Sequence, residues 1–181
     1  YAKAAPDDIL ICITVTNHGS EPAPLHVLPT LWFRNTWSWD LPAPAPPRLF
    51  AHAPGVIRAE HPRLGTYDLS MERTSDGAHA VSGSPTVLFT DNNTNATRLF
   101  GGPNPSPYVK DAFHTRVIDG DTGTVNPALT GTKAAAWFQF SIGPGESTRI
   151  RLRLTRVARP IGSQPAGPDP APRIASHPFA D

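Results

Sequence analysis

The residue pattern predicts a mainly β fold, an antiparallel β-sandwich with one short helix and long loops. Composition and periodicity both lead there. The 22 prolines and 14 glycines among 181 residues work against long helices, because proline lacks the N–H a helix interior needs and its ring clashes with the preceding turn. Short runs alternate apolar and polar side chains, the period that buries one face of a sheet. These runs recur between clusters of Gly, Pro, Asn and Asp, as in sandwiches. The length suits a single domain with a proper core.

The first clear strand is "DDILICITVTNHG", Asp7 to Gly19. Ile9, Ile11, Ile13 and Val15 share one face, with Leu10, Cys12, Thr14 and Thr16 opposite, and Asn17-His18-Gly19 closes the run as a turn. "LHVLPTLWF", Leu25 to Phe33, reads as the next strand. Its Pro29 cannot donate to a ladder and so implies an edge or a bulge. Five prolines between Pro42 and Pro54 predict a loop. Shorter strands follow at Gly55–Ala59, Gly65–Met71 and Pro85–Asp91. A single helix is expected within Ser106–Gly120, with Ser106 as N-cap, Pro107 at N1, a stripe of Val109, Phe113 and Val117, and Gly120 to end it. Lys110, Asp111 and His114 fall on its other side. "KAAAWFQFSI" and "STRIRLRLTR" then flank the turn "GPGE". In the last run Ile150, Leu152 and Leu154 face inward while Arg149, Arg151 and Arg153 face water. From Pro160 onward six prolines in nineteen residues predict an extended linker. The organisation expected is a β domain over residues 1–159 and a linker over 160–181.

The formal charge is +1, which points to neither a nucleic-acid nor a membrane surface. No run reaches membrane-spanning length and no signal peptide is visible. Cys12 is the only cysteine, so no internal disulfide can form; mid-strand, it reads as a small buried apolar residue. This fits a reducing, cytoplasmic setting. There is no Gly-rich phosphate loop, no Cys/His metal spacing and no nucleophile elbow, so no cofactor and no metal are expected. "DGDTG", Asp119 to Gly123, resembles a calcium loop faintly but lacks the later acidic ligand, and a polar turn is the better reading.

Three groups of residues are candidates for chemistry. Asp111 and His114, spaced i, i+3, could pair as a carboxylate orienting an imidazole. A solvated ion pair, or one facing a neighbouring domain, is the plainer alternative. "LWFRNTWSW", Leu31 to Trp39, holds three of the four tryptophans. In a strand Trp32 faces away from Phe33, while Trp37 and Trp39 share a parity. Flat rings beside Arg34 and Asn35 suit a sugar, but the same set makes an interface hot spot or an ordinary core. The loop Leu88–His114 carries Asn92, Asn93, Asn95 and Asn104 with Arg98, Lys110 and Asp111. Two of these asparagines begin glycosylation sequons, most simply by chance. Such a polar loop on a β scaffold is where binding usually resides.

The blocks "YAKAAPDDILICITVTN", "LHVLPTLWFRNTWSW", "LFTDNNTNATRLFG", "NPSPYVKDAFHTRVIDG" and "VNPALTGTKAAAWF" together resemble the amino-terminal β-domain of bacterial glycoside hydrolase family 63 proteins, relatives of the mannosyl-oligosaccharide glucosidases. The resemblance covers residues 1 to about 155, with the blocks in family order. It implies a super-sandwich with further strands upstream of Tyr1 and a large (α/α)6 barrel downstream of the linker. It further implies cleavage of terminal α-linked glucose, or a related α-glycoside or oligosaccharide, with inversion. Both catalytic carboxylates of such enzymes sit in the barrel, so no catalytic residue is expected in this chain. What the resemblance gives these residues is a docking and rim role. The interface or sugar-rim candidates are Arg34, Asn35, Trp37 and Trp39 in one block and Asn104, Tyr108, Lys110 and Asp111 in another. His114 and Lys133, from the adjoining stretches, join them. A stand-alone carbohydrate-binding module and a purely structural β-domain remain the alternatives.

Overall fold

The structure, a computed structural model, describes residues 1–37, 39, 44–71 and 85–158. Its strands are β1 (Ala2–Ala5), β2 (Asp8–Thr16), β3 (Ala23–Val27), β4 (Thr30–Trp32), β5 (Arg48–Ala53), β6 (Val56–His61), β7 (Gly65–Met71), β8 (Thr86–Thr90), β9 (Thr130–Gly131), β10 (Lys133–Ile142) and β11 (Ser147–Arg156). Two short helices, α1 (Ala96–Phe100) and α2 (Ala112–Ile118), and a 3₁₀ turn at Thr122–Thr124 lie between β8 and β9. One sheet has seven strands in the order β1-β2-β11-β7-β6-β5-β9. In the other, β10 is flanked by β3 and β4 in series on one side and by β8 on the other. The pairings within both sheets are antiparallel.

The two sheets bury one apolar cluster between them. Leu49, Ile57, Leu69, Met71, Ile150 and Leu152 come from the larger sheet, and Phe89, Ala134, Ala136, Phe138, Phe140 and Ile142 from the smaller. The alternation in β2 works as expected: Ile11, Ile13 and Val15 pack on this cluster. Cys12 does not; it is exposed on the opposite face, because its parity groups it with Leu10 and Thr14 rather than with the isoleucines. β10 is buried on both faces through Phe138, while Gln139 and Ser141 beyond it are exposed. The reason is a second cluster of Leu88, Phe113, Ala135 and Trp137, with Val117 packed against it, in which α2 covers one end of the sheet's outer face.

Pro29 does break its strand. β3 and β4 both pair with β10, and between them the Ala136 N–H donates to the Pro29 carbonyl. The turn after β10 carries the chain from one sheet to the other. Asn17 holds that corner: its Nδ2 donates to the Ile142 and Glu21 carbonyls, and its backbone N–H to the Glu146 carbonyl.

Three expectations are corrected. The proline-rich stretch is not all loop, since β5 forms within it. Pro46 and Pro47 precede β5 and Pro54 follows it, so each residue of Arg48–Ala53 keeps a donor for its ladders with β6 and β9. The helix expected from Pro107 begins only at Ala112. Upstream, the Asp91 N–H donates to the Tyr108 carbonyl and the Lys110 N–H to the Asn93 carbonyl, which ties Tyr108–Lys110 to the preceding loop, and Ser106 Oγ accepts only from the Tyr108 N–H. Gly120, at φ 74°, does end it. There are also two helices rather than one. α1 is bracketed by Asn95, whose side chain accepts from the Arg98 N–H, and by Gly101 at φ 69°, a cap pair that favours even one helical turn. The expected linker 160–181 lies outside the described residues.

Candidate functional site

The polar loop between β8 and β9 folds over one end of the four-stranded sheet, and there it meets the tryptophan-rich segment that leaves β4. Hydrogen bonds between side chains join the two. Asn35 Nδ2 donates to Asn93 Oδ1 at 2.7 Å, and Asn92 Nδ2 to the Phe33 carbonyl at 2.8 Å. The Asn92 N–H in turn donates to Thr132 Oγ1 at 2.7 Å. Each asparagine offers both a donor and an acceptor from one short side chain, which suits it to link irregular backbone.

A second knot lies around Asp111. Its carboxylate accepts from Asn95 Nδ2 at 3.2 Å and from Arg98 at 3.1 Å. Asn95 Oδ1 caps α1 and also accepts from Asn104 Nδ2, while Asn104 Oδ1 accepts from the Thr97 N–H. Asp111 is therefore committed to Asn95 and Arg98. Its link to His114 is between backbones, the His114 N–H donating to the Asp111 carbonyl at 3.0 Å, and the His114 side chain is exposed. A carboxylate-oriented imidazole does not form, because Asp111 precedes the helix and turns toward α1.

Lys133, at the start of β10, reaches into the same region. Its Nζ donates to the Lys110 carbonyl at 2.5 Å and stands 4.8 Å from the Phe113 ring centroid. Burial pushes its ammonium below the ordinary lysine range; the Lys110 charge adds to that, against an opposing pull from Asp111. Lys110 itself donates to Thr94 Oγ1.

The tryptophans separate. After Trp32 the backbone is no longer a strand: the Trp39 N–H donates to the Thr36 carbonyl, closing a turn. The shared parity expected of Trp37 and Trp39 therefore has no ladder to act on. Trp37 is half-buried, whereas Trp39 is 64% exposed with the Arg34 guanidinium 5.0 Å from its ring centroid. Trp32 is 54% exposed and pairs across the sheet with Lys133.

Of the ten candidates, the fold gathers Asn35, Asn104, Lys110, Asp111 and Lys133 into one bonded region, with Tyr108 entering it through its backbone. Arg34 and Trp39 form their own pair beside it, Trp37 is partly packed away, and His114 stands apart. Asn92, Asn93 and Arg98 prove as central as any candidate, and their signal was the density of amides in that loop. Trp32 was missed as a surface group, although its position opposite Phe33 in the strand pattern pointed outward.

Two buried side-chain oxygens in the described residues have no hydrogen-bond partner, Asn35 Oδ1 and Thr90 Oγ1. Both lie at this end of the small sheet. Buried polar atoms are nearly always paired, so these two are exceptions. No group of three His, Cys, Asp or Glu side chains suited to a metal occurs among the described residues, and no helix there is long and apolar enough to cross a membrane.

No protein-family model matches the chain, and no solved structure matches it. Among curated proteins it is similar to the uncharacterized protein YMR196W of Saccharomyces cerevisiae, 32% identical over 167 residues. That match takes in 83% of this chain but 15% of the yeast protein, so the chain spans a small part of the length of the relative it matches.

Proposed function

We propose that the chain is a non-catalytic β-domain of an inverting α-glycosidase of the α-glucosidase kind, where it supports a helical catalytic barrel and the rim of its active site. One observation carries the reading: four separate family-like blocks meet by direct hydrogen bonds. The "FRNTWSW" block joins "LFTDNNTNATRLFG" through Asn35 and Asn93. That block joins "NPSPYVKD" through Asn95 and Asp111, and "VNPALTGTK" joins it through Lys133 and the Lys110 carbonyl. Blocks far apart in sequence converge on one end of one sheet, as a docking or rim surface requires. The small share of the yeast relative that the chain covers agrees with a supporting segment of a longer polypeptide.

On this reading the general acid and base belong to the barrel, roughly 6.5–9.5 Å apart so that a water fits between them. The chain's part is to hold that barrel's loops. The test compares the 181 residues alone with the polypeptide extended along its reading frame, each given an aryl α-glucoside and followed by NMR of the released anomer. The chain alone is expected to be silent and the extended protein to release the β-anomer first. Turnover by the 181 residues, or first release of the α-anomer, would overturn the proposal.

The exposed Trp39 ring under Arg34 favours a second reading, an autonomous carbohydrate-binding module. Titration of α-glucosides against the isolated chain separates the two. Binding lost in Trp39→Ala supports the module, whereas silence leaves docking as the role of that ring.

A further inference from the structure

Antiparallel register places three residues in a row across the outer face of the small sheet, since Lys133 pairs with Trp32 on one side and with Thr90 on the other. Side chains so paired stand about 5 Å apart at Cβ. Trp32 presents an open indole at one end, Thr90 is fully buried at the other, and the half-buried Lys133 ammonium lies between them. Lys110 and His114 are exposed on the flanking loop and helix.

The local charge is one-sided. Lys133, Lys110 and Arg98 lie near the row together with the single carboxylate of Asp111. Asp111 bonds Arg98 at 3.1 Å and also acts on Lys133 from a distance, so one carboxylate is shared among the cations and positive charge stays in excess. Lys133 spends one N–H on the Lys110 carbonyl and rests on the Phe113 ring; the half-buried side chain meets no second acceptor among the described residues.

We propose that this row is a binding site for a uronate, a pyranose ring that carries its own carboxylate. The C–H face of the ring stacks on Trp32, and the carboxylate takes the free donors of Lys133 and the ammonium of Lys110. A neutral sugar would fill the stacking position but leave the excess positive charge unanswered. A simple carboxylate would satisfy the cations but leave the indole bare. A uronate answers both, and its charge offsets the repulsion between the two lysines.

The site shares Lys110 and Lys133 with the proposed docking surface, but its test is made on the isolated chain and involves no turnover, so either proposal can fail without the other. The experiment is a two-dimensional amide NMR titration of the folded chain with methyl α-glucuronoside, methyl α-glucoside and acetate as separate probes. The glucuronoside is expected to shift the Trp32 indole N–H together with amides near Lys133, and to bind about tenfold more tightly than either partial probe, the worth of one charge-assisted hydrogen bond. Trp32→Ala and Lys110→Gln, both at exposed positions and so safe for folding, should each weaken it several-fold; Lys133→Gln should weaken it most. The glucoside or acetate binding as well as the glucuronoside would overturn the proposal. So would an unchanged affinity in Trp32→Ala and Lys110→Gln, or the absence of any shift at Trp32.

Discussion

Between the two sheets, Leu49, Ile57, Phe89, Ile142 and Ile150 are fully buried in a single apolar cluster. A few residues beyond Phe89, where the loop after β8 folds over β10, the chain changes chemistry. Five asparagines, Asp111, Arg98 and two lysines form a bonded web there, with two buried oxygens left unpaired. The first region draws its stability from area removed from water, roughly 25 cal/mol per Å². The second draws little, since each hydrogen bond nets only about 1 kcal/mol, yet it fixes where exposed rings and charges stand. One fold therefore holds a part that resists change and a part that is costly to build relative to the stability it returns.

The largest effect should come from breaking the first region. Phe89→Ala removes a fully buried ring shared by both sheets, and should cost about 4 kcal/mol in chemical denaturation. Gly131→Ala comes next and probes the seam between the regions. A Cβ there would lie 2.8 Å from the carbonyl carbon of Thr90 and closer still to its oxygen. Backbone, not a flexible side chain, stands in the way, so β8 and β9 must separate at a cost of roughly 2–3 kcal/mol. A Gly131→Ala protein as stable as wild type would mean that the two regions are not locked together.

Within the polar web the comparison sharpens on one pair. Asn93→Ala strips Asn35 of its acceptor, leaving Nδ2 unpaired in addition to the already orphaned Oδ1, and should cost about 1–2 kcal/mol. Asn35→Ala also breaks the bond, but it removes the orphan oxygen at the same time. It should therefore cost less than Asn93→Ala, and urea midpoints of the two variants decide the order. If Asn35→Ala is the more damaging, its buried carbonyl has a favourable role that the unbound fold does not reveal.

The apolar region was legible because periodicity carries it. Ile9 to Val15 and Ile150 to Leu154 each read correctly from the alternation of side chains, and Pro29 marked its own break. What failed to read depended on long-range partners. β5 needed β6 and β9 to show that its flanking prolines do no harm. The start of α2 was decided by Asn93, which holds the Lys110 N–H from 17 residues upstream. Asp111 looked like a partner for His114 on a helical wheel, whereas Asn95 and Arg98 claim it across a loop. Amide density announced that something was organised between Asn92 and Asn104, but no local rule says which amide meets which. Trp37 and Trp39 were misjudged for a related reason: parity has meaning only while a neighbouring strand holds the backbone extended, and that ends at Trp32.

The smallest expected effect tests whether the two regions communicate. His61 ends β6 beside the root of the tryptophan segment, its ring 5.4 Å from that of Phe33. Its Nδ1 accepts from the Arg63 and Leu64 N–H groups at 3.1 and 3.2 Å, so the turn into β7 requires an unprotonated ring nitrogen. Burial pushes the imidazole below the ordinary histidine range, and the Arg63 charge adds to the shift. A folded-state value below the unfolded one means that the unfolded chain takes up the proton first as pH falls. Stability is then complete above about pH 6.5, the unfolded value, and declines as pH drops through that value toward the folded one. Asp8 and Asp68 are held below the usual carboxylate range by hydrogen bonds from Arg153 and Arg58, so their losses begin only in more acid solution. Thermal melts of wild type and His61→Gln between pH 7.5 and 5.5 should diverge, the wild type losing more. Amide shifts at Phe33 should follow the same titration if the turn and the tryptophan segment are coupled, and remain fixed if the larger sheet ends its influence at His61.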